Sequence, residues 1–407
     1  MAKLATDSST LGQYTYCMAL ISPIVLFFTM GARSALVADA AGDFTYGVYS
    51  RLREVCLVGA ALTLLGVLAY VATHEPRTAF VLIFIAIAFE RIFGGMAELV
   101  WGVYQKRERV DQLAWAQALQ GIGTATPFLI LLPVCYLLYN GTPYYDSQFP
   151  WFVAISTLLG ATAWGGLYWF KDRPRTIRAE DCDWTTTWPE VARLFIRVLP
   201  LGITLMMINL CDAIPRIVLK HQPGGVEALG FFGALAYFTM AANLLLIQAG
   251  TAASNRLARY FHENYPAFIR LAMKMIIGTV IVGVVTYAVA YLVGKPVLRI
   301  LYSRAYSAHF PEFMILVLGQ CVGLMASMLG IVVTLAGRFW VQVVIHAGIL
   351  ATAALLSFWW IPGADNLLRA AAWTIVIRNL VHTGLYGVAF VHTVIERAKA
   401  ARAAGAT

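Results

Sequence analysis

Charged residues are scarce in this sequence. Only 13% of its 407 residues are Asp, Glu, Lys or Arg, whereas about a quarter of the residues in a soluble domain are charged. Apolar residues make up 60% of the chain, which is more than a soluble protein could keep away from water. The composition therefore excludes an ordinary cytosolic enzyme, a disordered protein and a secreted disulfide scaffold.

Motifs for catalysis and metal binding are also missing. The sequence has no HExxH, GxSxG or Walker motif, and its seven histidines lack metal-ligand spacing. The six cysteines form no CxxC pair and are interpreted as small buried hydrophobic residues. The net charge of +9 does not indicate a nucleic-acid surface, because the sequence has no Lys/Arg block with interleaved aromatic residues. We expect no cofactor, no metal and no nucleic-acid partner.

The chain does have eleven long apolar runs. A membrane-spanning helix needs about 20 apolar residues, so these runs predict an all-α, polytopic transmembrane helical bundle of about eleven spans. The predicted helices cover about 11–33, 52–73, 79–104, 113–139, 150–170, 191–212, 229–251, 268–293, 309–335, 340–361 and 369–395.

Lys and Arg residues are unevenly distributed between alternate connections of these helices. One set of connections carries 16 of them and the other carries 8. The positive-inside rule places the richer set in the cytoplasm. The N-terminus is then expected outside and the C-terminus inside, in the cytoplasmic (inner) membrane.

An internal repeat predicts two pseudo-symmetric lobes. The stretches that begin at Leu11 and Leu229 both open with Leu-Gly and cross an apolar span, and both end in Arg-Leu. Both copies cross in the same direction, so the repeat is parallel. We expect an N-terminal lobe at 1–178, a C-terminal lobe at 179–395 and a cytoplasmic tail at 396–407. The first lobe has five helices and the second six, which suggests that the first helix of a six-plus-six architecture is missing.

Several segments resemble bacterial polysaccharide flippases of the Wzx type. They are LGQYTYCMALISPIVLFFTMGARSALVADA, TYGVYSRLR, ELVWGVYQKRERVDQLAWAQALQG and VLPLGITLMMINLCDAIPRIVLKHQPGGVEALGFFGAL. These flippases belong to the multidrug/oligosaccharidyl-lipid/polysaccharide exporter superfamily. The resemblance implies two lobes around a central cavity and the flipping of a lipid-linked oligosaccharide by alternating access. It also implies membrane lipids, a polysaccharide polymerase and chain-length proteins as partners.

Ionisable residues within the predicted spans are the candidate site, because charge at membrane depth is costly unless it faces a water-filled cavity or a partner. In the third span, Arg91 follows Glu90 and precedes Glu98. These residues are expected to form a cavity cation with carboxylate partners; the alternative is a structural ion pair.

Two further pairs lie in later spans. Arg378 and His382 are one turn apart in the last span and form either a polar cavity wall or hydrogen bonds to a neighbouring helix. Asp212 and Arg216 flank Pro215 at the outer end of the sixth span. The resemblance places them near the cavity mouth, and the alternative is a surface salt bridge.

Three residues complete the candidate set. Arg33 and Arg256 follow repeat-equivalent spans near the expected cytoplasmic face. There they could meet an incoming pyrophosphate or simply anchor the helices. Asn243 interrupts an apolar helix and could bind sugar hydroxyls or join helices.

Two other functions compete with a flippase. A multidrug or cation antiporter of the same superfamily is expected to favour carboxylates in its cavity, and the intramembrane arginines here lean towards an anionic substrate. A membrane-embedded polysaccharide-assembly enzyme usually carries a long outer loop, whereas the outer connections here are short. The chain is therefore expected not to be an enzyme.

Overall fold

The structure is a computed structural model. It describes residues 9–39, 42–74, 78–107, 109–142, 144–172, 183–237, 239, 257, 260, 264–335 and 339–404. None of these residues forms a strand, which confirms the all-α class. Ten of the described helices are long and apolar enough to cross a membrane, and a shorter apolar helix covers Gly225–Tyr237. That short helix is the start of the predicted span 229–251, most of which lies outside the described residues.

The chain divides into two compact units, Lys3–Ala213 and Ile214–Thr407. In the described part of the first unit there are seven α-helices and one π-helical turn, and the last helix continues into the second unit. They are α1 Ser9–Thr29, α2 Ala32–Ala38, α3 Tyr46–His74, α4 Thr78–Lys106, α5 Val110–Tyr139, α6 Tyr145–Leu167, the π-helical turn Tyr168–Asp172 and α7 Trp188–Lys220. The lobe boundary predicted at residue 178 stays a prediction, since 173–182 lie outside the described residues.

The first predicted span contains a break between α1 and α2. Met30 and Gly31 both take left-handed backbone conformations, with φ of 52° and 57°. A Cβ added at Gly31 would lie 3.2 Å from the Cβ of Leu201, so the break is also a point of close helix packing. Below it, Met30, Tyr49, Leu99 and Leu194 join a common buried core.

The connection between α2 and α3 is held by the buried carboxylate of Asp39. It accepts hydrogen bonds from the backbone N–H groups of Asp43, at 3.0 Å, and Phe44, at 3.3 Å. Lys106 donates to the Asp39 backbone oxygen at 2.7 Å. Burial raises the pKa of Asp39, but the two N–H donors and the Lys106 charge outweigh it and hold the pKa below its ordinary value.

The segment 183–187 enters α7 along the start of α3. The Gly47 N–H donates to the carbonyl oxygen of Asp183 at 3.0 Å. The rings of Tyr46 and Trp184 meet edge to face, with centroids 5.0 Å apart. The glycine permits this approach because a Cβ there would lie 2.6 Å from the Trp184 carbonyl carbon.

The described residues of the second unit form the end of α7 and six further helices. They are α8 Gly225–Tyr237, α9 Tyr265–Leu301, α10 Arg304–Ala308, α11 Phe310–Leu335, α12 Phe339–Trp360 and α13 Leu367–Ala404. Asn366 caps α13 by accepting from the Arg369 N–H at 2.9 Å. The Arg369 guanidinium donates to the Glu312 carboxylate at 3.1 and 3.3 Å. Glu312 is 3% exposed, so this ion pair ties the starts of α11 and α13 together.

Large apolar side chains cover much of the outer surface of the helices. Leu137, Leu292 and Trp359 are 81%, 75% and 88% exposed. In the most apolar 18-residue stretch of α5, and in that of α9, only 11% is buried within the protein. Exposed apolar surface on this scale fits lipid as the solvent rather than water. The chain is a multi-pass membrane protein.

Candidate functional site

Helices α1, α4 and α5 of the first unit enclose a cavity of about 100 Å³. We call it the Arg91 cavity. Its polar lining consists of Ser22, Thr29, Glu90, Arg91, Glu98 and Gln120, and Trp101 adds an aromatic wall. The three ionisable residues that the sequence singled out in the third span thus share one cavity.

Arg91 forms its ion pair with its sequence neighbour. Its Nε lies 3.4 Å from Oε2 of Glu90, and Nη2 donates to the Met18 sulfur at 3.6 Å. Its side chain is 40% exposed. Of the two carboxylates predicted as its partners, Arg91 pairs with Glu90. The cation remains accessible from the cavity.

Glu98 instead faces a cation from α3. Its Oε2 lies 3.7 Å from Nη2 of Arg53, whose side chain is 4% exposed. Glu98 itself is 34% exposed. One carboxylate therefore lines the Arg91 cavity and also balances an arginine buried behind it.

Arg33 also lies at this side of the first unit. It donates from Nε and Nη2 to Oε1 of Gln105, at 3.3 and 3.1 Å. Its guanidinium carbon lies 6.0 Å from the centre of the Trp101 ring, and it interacts electrostatically with Glu98. Arg33 therefore points into the helix bundle rather than serving only as a surface anchor.

Glu90 and Glu98 thus lie near three guanidinium groups of the first unit, those of Arg33, Arg53 and Arg91. Glu90 contacts Arg91 and Glu98 contacts Arg53, and the Arg91 guanidinium stays partly exposed in its cavity. Such a set can hold an anionic group, because arginine forks match phosphate and carboxylate oxygens. Gln120, Ser22 and Trp101 add groups that suit hydroxyl-rich ligands.

In the second unit, Arg378 is joined to its neighbour Asn379. Arg378 donates from Nε and Nη2 to the Asn379 amide oxygen, at 3.3 and 3.1 Å. Asn379 in turn donates to the carbonyl oxygen of Gly319 on α11 at 2.7 Å. This geometry matches the alternative of a hydrogen bond to a neighbouring helix, although it leaves a role in a cavity wall untested.

His382 lies beside aromatic side chains of α12 and α13. Its ring lies 5.5 Å from that of His346 on α12 and 5.1 Å from that of Tyr386. Nδ1 of His346 lies 2.8 Å from the carbonyl oxygen of Gln342 and donates to it in the tautomer that carries its proton on Nδ1. A polar cavity wall formed by residues 378 and 382 stays a prediction.

The helix carrying Asp212 and Arg216 continues through Pro215 and ends at Lys220. Asp212 lies in the first unit and Arg216 in the second. The Arg216 guanidinium carbon lies 5.8 Å from the centre of the Tyr237 ring. Two candidates, Arg256 and Asn243, lie outside the described residues.

Arg53 is the residue that the sequence reasoning missed. The positive-inside count includes it, with Arg51, only as one of the 16 Lys and Arg residues assigned to the cytoplasm. The signal that could have found it is the buried stripe of α3, in which Tyr49, Arg53 and Cys56 follow one another at helical spacing and Ala60 continues the series. Among the described residues, no group of three His, Cys, Asp or Glu could hold a metal ion.

Comparisons with known proteins agree with this architecture. No protein-family model matches the sequence. The capsular polysaccharide biosynthesis protein CapF of Staphylococcus aureus is 24% identical over 374 residues, which are 91% of this chain and 88% of that protein.

Solved structures with the same fold are transporters. An inward-facing multidrug resistance MATE family transporter of the MOP superfamily matches with a TM-score of 0.70 at 13% identity, over 97% of this chain and 91% of that one. A MOP superfamily transporter from Pyrococcus furiosus, described by a reverse polarity of its binding pocket, matches with a TM-score of 0.62 at 14% identity, over 97% and 88%. The sequence thus resembles a capsular polysaccharide biosynthesis protein, and the chain has the fold of MOP (multidrug/oligosaccharidyl-lipid/polysaccharide exporter) superfamily transporters.

Proposed function

We propose that this chain is a membrane transporter that flips a polyprenyl-pyrophosphate-linked oligosaccharide across the bacterial cytoplasmic membrane. Its product would serve O-antigen, capsule or exopolysaccharide biosynthesis. The observation that carries the proposal is the guanidinium of Arg91, which is partly exposed in a cavity inside the first unit. The relation to a capsular polysaccharide biosynthesis protein supports the same substrate class.

The physical task explains why a cation inside the membrane matters for this function. A pyrophosphate and a hydroxyl-rich glycan must cross an apolar layer while the polyprenyl tail stays in lipid. The protein must supply cations for the phosphates and hydrogen-bonding groups for the sugars inside the membrane. Arg91 can supply the first, since it is partly exposed in its cavity. Gln120 and Ser22 can supply the second.

The orientation belongs to the same proposal. The charge count places the N-terminus outside and the C-terminus in the cytoplasm. The Arg91 cavity then lies in the inner half of the first unit, where a lipid-linked substrate made in the cytoplasm would enter. Such transport makes or breaks no covalent bond, so we propose that the chain is not an enzyme.

Deletion of the gene tests the proposal directly. We expect lipid-linked repeat units to accumulate inside the cells and surface polysaccharide to be lost. Normal surface polysaccharide in the deletion strain would overturn the proposal. Arg91→Ala and Arg378→Ala should each abolish complementation at unchanged protein levels on immunoblots. Arg109→Ala, which removes one exposed arginine outside the cavity, is the matched control and should complement.

One observation favours the alternative of a multidrug or cation antiporter. Glu90 and Glu98 line the same cavity, and paired carboxylates can bind a cationic drug or a coupling proton. This function predicts that the chain raises resistance to cationic drugs in a sensitive host and that Glu90→Gln removes the resistance. Unchanged drug sensitivity, with restored polysaccharide, would decide for the flippase.

A further inference from the structure

Arg53 on α3 is buried without the hydrogen bonds that a buried guanidinium requires. Its side chain is 4% exposed. None of its three nitrogens finds a hydrogen-bond partner among the described residues. The nearest carboxylate oxygen, on Glu98, is 3.7 Å away, too far for a hydrogen bond. A desolvated charge with unmet donors is costly, so the position favours an additional anionic partner.

The space for such a partner lies beside Arg53. A cavity of about 200 Å³ separate from the Arg91 cavity is lined by Arg53, Ser50, Tyr46, Tyr168, Trp169 and Trp184, with apolar residues of α3 and α4 closing it. We call it the Arg53 cavity. A single water needs only about 10–15 Å³ by the same kind of measure, so a hydrated phosphate group fits.

The wall of this cavity faces the membrane surface. Trp169 and Trp184 are 49% and 43% exposed. Tryptophan and tyrosine concentrate where lipid headgroups meet acyl chains. Arg53 is seven residues from the first residue of α3, Tyr46, which places it about 10 Å along the helix. That depth corresponds to the headgroup region on the face that the charge count assigns to the cytoplasm.

Among the charged groups near the Arg53 cavity, Arg53 is the main one that attracts an anion. Glu54 also lines the cavity, but its carboxylate lies 3.2 Å from Nη1 of Arg51. Glu98 approaches Arg53 from the side of the Arg91 cavity. The Ser50 hydroxyl adds a possible donor in the lining.

We propose that the Arg53 cavity binds the phosphate of one anionic lipid headgroup, held by the Arg53 guanidinium between aromatic walls. The tail of that lipid would leave past Trp169 and Trp184 into the bilayer. Phosphate is preferred over a carboxylate ligand because the cavity opens at the depth where the phosphates of a membrane lie. The phosphate could come from a membrane phospholipid or from a prenyl pyrophosphate. This proposal does not depend on the proposed transport function.

The test uses the purified full-length protein in a neutral detergent. Dioleoyl phosphatidylglycerol, dioleoyl phosphatidylcholine and farnesyl pyrophosphate are added separately, and binding is followed by native mass spectrometry and by the shift of the thermal unfolding temperature. We expect at least one of the two anionic lipids to bind more tightly than phosphatidylcholine. Arg53→Met should weaken that binding about tenfold or more, equivalent to about 1.4 kcal/mol, and Arg53→Lys should weaken it less.

Three further variants separate binding from a general loss of charge or of fold. Arg109→Gln removes one exposed arginine outside the cavity and should bind like the wild type. Glu98→Gln removes the competing carboxylate and should strengthen binding, a change of opposite sign that a merely structural role would not produce. Ser50→Phe fills the cavity from its rim and replaces Arg53→Met where that variant does not fold.

The outcomes decide the proposal. Preference for phosphatidylglycerol supports a phospholipid site, and preference for farnesyl pyrophosphate supports a site for a prenyl-linked ligand. Equal binding of the anionic lipids and phosphatidylcholine overturns the proposal, as does wild-type binding by Arg53→Met. A chain that binds anionic lipid through Arg53 yet fails to restore polysaccharide would refute the transport function alone.

Discussion

Replacement of Gly47 by alanine tests how the segment before α7 is held against α3. A Cβ at this position would lie 2.6 Å from the carbonyl carbon of Trp184 and 2.8 Å from the carbonyl oxygen of Thr185. These are backbone atoms, so no side-chain rotation can relieve the clash. The segment 183–187 must move away, and the hydrogen bond from the Gly47 N–H to Asp183, now 3.0 Å long, must lengthen or break.

The cost follows from these two losses. A lost hydrogen bond costs about 1 kcal/mol, and overpacking at a close contact costs about 1–3 kcal/mol. Alanine returns up to about 1 kcal/mol through its better helix propensity. We therefore expect Gly47→Ala to lower the free energy of unfolding by about 1–3 kcal/mol. Trp184 should also separate from Tyr46, which would open the Arg53 cavity.

Gly66→Ala is the matched control, because Gly66 lies on the same helix and a Cβ there meets nothing within 4 Å. That variant should be neutral or slightly stabilised. Thermal unfolding in detergent measures the difference, and hydrogen–deuterium exchange of peptides covering 183–187 shows where it arises. The reasoning fails if Gly47→Ala is as stable as Gly66→Ala and the exchange of that segment is unchanged.

Three other substitutions probe charged groups. Glu98→Gln should destabilise the lipid-free protein by about 1–3 kcal/mol, because it leaves the buried Arg53 uncompensated. In a double-mutant cycle of thermal unfolding, Glu98→Gln combined with Arg53→Met should recover most of this loss. Glu312→Gln should cost about 1 kcal/mol, since Arg369 is 53% exposed and solvent weakens the pair; unfolding of the variant in detergent checks this value. Asp39→Asn should cost about 1 kcal/mol at neutral pH. The pKa of Asp39 is lower in the folded protein than in the unfolded chain, so its stabilisation is complete above about pH 4 and is lost as the pH falls through the folded pKa. Unfolding curves of variant and wild type should therefore converge in acid, and a constant difference would refute this origin.

The helices were predictable because the bilayer sets their length and composition. A run such as that of α9, Tyr265–Leu301, must satisfy its backbone hydrogen bonds internally and present apolar side chains to lipid. Hydropathy alone therefore locates it. The break at Met30 and Gly31 was not predictable in the same way. It depends on the contact between Gly31 and Leu201 on α7, which the sequence does not reveal.

The candidate site was predictable where charge stands alone in an apolar helix. Arg91, Glu90 and Glu98 were found for that reason, and they do share a cavity. Their pairing was not predictable, because the partner of Glu98 comes from another helix. The grouping of His382 with His346 was unpredictable for the same reason, because His346 lies on another helix, α12. Spacing along one helix fixes a shared face but not the helix that packs against it.

Arg53 shows why the burial of a charged residue near a helix end is hard to predict from sequence. The positive-inside rule treats Arg51 and Arg53 alike, because it counts charges near the end of a helix without regard to direction. Residues two apart on a helix are rotated by about 200°, so their side chains point to nearly opposite sides. The two arginines therefore lie on different surfaces of α3. Arg51 is half exposed and pairs with Glu54, whereas Arg53 lies in the buried stripe behind Tyr49. An arginine that anchors a helix can be compensated by water and lipid. One that lies in the buried stripe must be compensated from inside the fold or by a ligand, and Glu98 at 3.7 Å does this only in part.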